Sequence, residues 1–191
     1  MKSWKEIAVL GCVSFFGTGL ISKRMPGTIG SFFASISLIF IQSELIPYFF
    51  IIFFALGLYC CFSFFKQKNI NSIDKDPGFI VIDEVCGIYC CGIFLAIGNY
   101  VSLIDFAISF VLFRLFDILK PWPIRQVEQC LKRGKPFFRI NTSRVHFKGI
   151  YKAQNRNVND KLAIVGIMID DIMAAVYAIL VHAVYIYLIS I

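Results

Sequence analysis

Charged side chains interrupt the most apolar parts of this 191-residue chain in three places. Asp83 and Glu84 are adjacent within "GFIVIDEVCGIYCCGIF", Arg114 and Asp117 stand in "FRLFDILK", and Asp170 and Asp171 are adjacent in "GIMIDDIMAA". An ionisable group at membrane depth costs roughly a few kcal/mol at least, so it is rare there and is usually paired or functional. Each set lies toward one end of its apolar run, a placement that permits a position at a membrane–water interface. Arg114 and Asp117 are three apart and share a helix face, with Lys120 extending the stripe, so a self-neutralised polar stripe is one reading of them beside a functional one. Adjacent carboxylates are harder to dismiss. Neighbours on a helix point about 100 degrees apart, so one of each pair can ligate an ion while the other orients a ligand or water. Carboxylates from different helices, with two histidines and no C-x-x-C pair, suit a hard cation such as Mg²⁺.

The loop "SKRMPGTIGS" offers complementary chemistry. Lys23, Arg24, Thr28 and Ser31, together with glycine N–H groups ahead of a helix start, can hold a phosphate, although basic glycine loops are also common as plain turns. Other phosphate chemistries are disfavoured. No H-C-x5-R nucleophile is present, and "DKDP" at 74 to 77 follows polar "NINSI" rather than a buried strand. His146 and His182 share no catalytic setting, and His182, in the last apolar run, reads as a packed or hydrogen-bonded residue.

The elements that must position these groups read as helices. Hydrophobic residues make up 58% of the chain, more than a domain of this size buries, which points to an integral membrane protein. Residues 46–65 form the cleanest span, uncharged and about the roughly 20 residues that a bilayer needs. Residues 7–22 are apolar but broken by glycine, and 31–43 are apolar but too short to cross alone. Residues 23–31 read as a loop. Another helix is expected over 100–119, opened by the capping box "SLID" and stopped by Pro121 and Pro123, and a final apolar run covers 162–191. No strand alternation or internal repeat is present. The fold class expected is all-α, a membrane-embedded helical bundle with short re-entrant or interfacial helices.

Ten Lys and Arg residues fall between Arg125 and Lys161, against Glu128 and Asp160. This segment suits the anionic cytoplasmic leaflet and carries no nucleic-acid-binding motif, so no nucleic-acid partner is expected. The seven cysteines read as small apolar residues in reducing surroundings. No cleavable signal peptide is expected at the N-terminus.

Four blocks in order, "GTGLISKRMPGTIGS", "DPGFIVIDEVCG", "FRLFDILKPWPIR" and "GIMIDDIMAAVYA", resemble the phosphatidylglycerophosphatase A family of bacterial membrane enzymes. The resemblance implies a single domain over residues 1–191, with the basic polar stretch at about 130–160 as an insertion. It also implies Mg²⁺-dependent hydrolysis of phosphatidylglycerol phosphate at the cytoplasmic face of the inner membrane. Carried over by motif, Asp83, Glu84, Asp117 and Asp171 are the catalytic candidates. Asp83, Glu84, Asp170 and Asp171 are the metal candidates, and Lys23, Thr28, Arg114, Lys120 and Arg125 are the substrate contacts. Where the family has a His-Gly-Gly-like turn before the last block, this chain has "LAIVGIMIDD". Two other readings are a phosphatase of the same fold acting on another phosphomonoester, and a non-enzymatic transporter or scaffold whose charges line an ion path.

Overall fold

The computed structural model describes residues 4–68, 78–100, 102–127 and 156–190, with the side chains of 66–68 and 156–164 outside the description. The basic stretch falls almost wholly outside the described residues, as does "DKDP". The described chain is helical, without a strand: α1 (Trp4–Val13), α2 (Pro26–Phe40), α3 (Ile46–Lys68), α4 (Ile82–Ile97), α5 (Leu103–Leu119) and α6 (Arg156–Ile189), joined in part by short 3-10 turns.

Helix α4 is the centre of the bundle, touching α2, α3, α5 and α6. Its sequence shows why. Ile82, Val85, Ile88, Tyr89, Cys91 and Leu95 are buried, and they cover more of the helix circumference than the single stripe of a surface helix. Small residues allow the close approach this requires. Ala174, Ala175 and Ala178 of α6 are buried, and the Cys91 thiol lies 3.9 Å from the Ala175 carbonyl. Aromatic and polar contacts fix the other sides: the Tyr89 and Ser37 hydroxyls are 2.9 Å apart, and the Phe53 ring meets Tyr89 edge-on at 5.0 Å.

One element differs from the sequence expectation. The stretch from residue 23 to 31 is a loop only up to Met25, because Pro26 starts α2. Proline suits that first helical position, where its missing N–H has no partner to lose and its fixed φ is already helical. The "LAIVGIMIDD" stretch, which lacks the family's turn residues, lies inside the continuous helix α6, in keeping with the single apolar run expected there. The expected cap of α5 is present: the Ser102 hydroxyl accepts from the Asp105 backbone N–H at 3.2 Å. Beyond α1 the chain reverses through Phe15, Phe16 and Gly17, all with positive φ. The Val81 N–H then donates to the Val13 carbonyl at 2.9 Å, holding the start of α4 against the end of α1. Gly19 stands so close to the Phe79 carbonyl that a β-carbon would overlap it.

Two helical segments, Ser43–Phe65 and Val165–Ile189, are long and apolar enough to cross a membrane. Only 22% of either apolar window is buried inside the protein, so neither is the core helix of a water-soluble fold. Tyr48, Ile51, Ile52 and Tyr59 of α3 and Leu180, Val184, Tyr187 and Leu188 of α6 face outward. Such surface is stable against lipid and costly against water.

Candidate active site

The carboxylates gather where the first turn of α4 meets α5 and α6. Asp83 and Glu84 lie in that first turn, where the positive end of the helix dipole favours negative charge. The Asp83 Oδ1 accepts from the Glu84 backbone N–H at 3.1 Å. Asp171 arrives from α6, and one oxygen from each of Asp83, Glu84 and Asp171 lies within 4.8 Å of the other two. Asp83 and Asp171 are buried, and the Glu84 side chain is 16% exposed. The extra methylene of glutamate lets Glu84 reach the same point as its neighbour although the two side chains leave the helix in different directions.

The adjacent pair on α6 separates as helix geometry predicts. Asp171 faces α4, whereas Asp170 takes the Lys120 ammonium at 2.7 Å. Lys120 reaches it from the end of α5, where it adopts the left-handed conformation that closes the helix. The cation therefore leaves the Arg114 and Asp117 stripe instead of extending it. Arg114 Nη1 meets Asp117 Oδ2 at 2.6 Å and stands 3.9 Å from Glu84 Oε1. The same guanidinium donates to Ser31 at 3.4 Å and to Thr28 at 3.3 Å, tying α5 to the first turns of α2.

Of the residues expected from sequence, Asp83, Glu84 and Asp171 form one cluster, with Arg114, Asp117 and Thr28 beside it. Asp170 and Lys120 form a neighbouring ion pair, and Lys23 and Arg125 are exposed. Ser31, named from sequence as a phosphate-loop hydroxyl, is instead buried and bonded to Arg114. A second polar contact lies farther along the same helices, where the Ser109 hydroxyl and His182 Nδ1 are 2.8 Å apart in the interior, in keeping with a hydrogen-bonded histidine.

Three features of the carboxylate cluster fit a hard divalent cation. Its donors are all carboxylate oxygens, the chemistry Mg²⁺ favours. Glu84 Oε2 is buried without a hydrogen-bond partner, an arrangement costly for a carboxylate unless a cation or proton satisfies it. Burial pushes the Glu84 carboxyl up to about 7; Asp171 and Asp117 add to the rise, while Asp83 and Arg114 oppose it. Three carboxylates thus share one buried pocket with Arg114 beside them, an arrangement whose charge a divalent cation would offset.

Comparison with known proteins identifies the family. Residues 11–136 match the family model described as PgpA, phosphatidylglycerophosphatase A. A curated phosphatidylglycerophosphatase A from Haemophilus influenzae is 34% identical over 188 residues, covering 93% of this chain and 90% of that protein. No solved structure matches. The region matched by the family model holds the α4 and α5 side of the cluster. The chain therefore belongs to the phosphatidylglycerophosphatase A family and is a phosphatase.

Proposed function

We propose that this protein hydrolyses the phosphomonoester of phosphatidylglycerol phosphate to phosphatidylglycerol and phosphate, with Mg²⁺ held by Asp83, Glu84 and Asp171. The observation that carries the reading is the buried three-carboxylate cluster in a chain of this family. The cation would neutralise phosphate charge and lower the pKa of a water. Around it, the protein's own groups have distinct tasks. Arg114, held by Asp117, Thr28 and Ser31, presents a fixed guanidinium beside the cluster to stabilise charge on phosphoryl oxygens. Asp170 holds the Lys120 ammonium at the end of α5, where it favours an anionic headgroup. In the reaction the oxygen of water bonds to phosphorus, the phosphorus–oxygen bond to the glycerol breaks, and the leaving oxygen takes a proton.

The outward-facing apolar surface of α3 and α6 supports a substrate whose acyl chains stay in lipid while its phosphate meets the polar cluster. The basic stretch between Arg125 and Lys161 favours the cytoplasmic face of the bacterial inner membrane for the site. The test is phosphate release from phosphatidylglycerol phosphate by detergent-purified protein, with Mg²⁺ and with EDTA. Release should require the metal and fall about 100-fold or more in Asp171→Asn and Asp83→Asn, with the helical circular dichroism unchanged. Release insensitive to EDTA would sink the metal assignment. Release only from a soluble phosphomonoester would move the substrate to another class.

A further inference from the structure

Gly27 is buried in the first turn of α2, against the Glu84 carboxylate. A β-carbon there would overlap Glu84 Oε1 and stand 2.9 Å from the Glu84 carboxyl carbon and 3.4 Å from Arg114 Nη1. Among the described glycines, this is the one whose missing side chain faces a carboxylate. Gly30 faces the side chain of Val81, and Gly87 the ring of Phe113. We propose that Gly27 is a positioning residue of the cation site: the space left by its absent side chain is where the Glu84 carboxylate stands when it joins Asp83 and Asp171. This rests on the cation reading given above.

The consequence of filling that space depends on which partner gives way. The first turns of α2 are tied down. Ser31 donates to the Gly27 carbonyl at 2.7 Å, Pro26 restricts the backbone ahead of it, and Arg114 bridges Thr28 and Ser31. Glu84 Oε1, by contrast, is the far end of a flexible side chain. A methyl group at position 27 therefore displaces the carboxylate and leaves the helices in place. Asp83 and Asp171 then face each other with one cation ligand fewer, while the fold persists.

The test uses Mn²⁺, another oxygen-preferring divalent cation, titrated into the detergent-purified full-length protein and followed by electron paramagnetic resonance. Gly27→Ala should weaken Mn²⁺ binding about 10- to 100-fold, the range typical when a ligand's orientation is lost, with a melting temperature close to that of the parent. Gly11→Ala, at a site with nothing near the added carbon, should bind as the parent does. Glu84→Ala should weaken binding by itself, and adding Gly27→Ala to it should cause no further loss, because the carboxylate that the methyl would strike is gone. Should Gly27→Ala alone fail to fold, the Gly27→Ala/Glu84→Ala pair should fold, since it removes the overlap. Undiminished binding in folded Gly27→Ala, an equal further loss in the double variant, or failure of that double variant to fold would each overturn the assignment. A parent protein that binds no Mn²⁺ would overturn the cation reading itself, and this inference with it.

Discussion

At the scale of single residues, the site is organised by how charge is shared. Asp117 has the Arg114 guanidinium and Asp170 the Lys120 ammonium, whereas Asp83, Glu84 and Asp171 converge on one another. The Lys120–Asp170 pair gives an asymmetric prediction, because the Asp170 side chain is 2% exposed and that of Lys120 24%. Removing the cation leaves a carboxylate in the interior, whereas neutralising the carboxylate leaves an ammonium that water can partly reach. Lys120→Met should therefore destabilise the protein by about 2 kcal/mol or more, and Asp170→Asn by less. Thermal melting in detergent, compared between the two variants, is the check; equal losses would show that burial does not govern the pair. The pairing itself was legible only in part. That Asp170 and Asp171 diverge follows from helix geometry, but which of them faces α4 depends on how α6 is rotated in the bundle.

At the scale of elements, α4 places two ligands by its first turn and is held by contacts along its whole length. Gly87 is one such contact: the Phe113 ring of α5 stands where a β-carbon would project, with the Asp171 backbone carbonyl 3.3 Å away. Phe113 is fully buried, and close packing in the interior opposes movement of its ring. Gly87→Val should overpack this junction and cost about 1–3 kcal/mol, lowering the melting temperature and displacing α6 from the cluster. A variant that melts with the parent would show that the ring can step aside. Local signals in the sequence did well here. The Ser102 cap of α5 and the end of that helix before Pro121 are set by neighbouring residues, and both are present. The start of α2 lies earlier than a loop signal from Pro and Gly suggests, because Pro26 is the opening residue of the helix.

At the scale of the whole molecule, the apolar surface defines the setting. Two helices of spanning length keep most of their apolar windows outside the protein core, and in water that surface would remain exposed. The protein should stay with the membrane pellet through high-salt and alkaline carbonate washes and be released only by detergent. Release by carbonate would mean that the outward surface is covered by another protein rather than by lipid. The short helix α1 packs against α3, and α2 packs against α4 and α5, carrying Gly27, Thr28 and Ser31 to the carboxylates.

The sequence by itself determined the helical class, the membrane setting, the cleanest span and the three charged sets, because composition, run length and the ends of helices are properties of neighbouring residues. The order of its motifs also pointed to the family. Tertiary structure decided the rest. It put Asp171 with Asp83 and Glu84, turned Lys120 from the Arg114 stripe to Asp170, and set Gly27 against the Glu84 carboxylate. These outcomes depend on the rotation and separation of helices far apart in the chain. A period of 3.6 residues fixes which side chains share a face, but packing against other helices decides what that face meets.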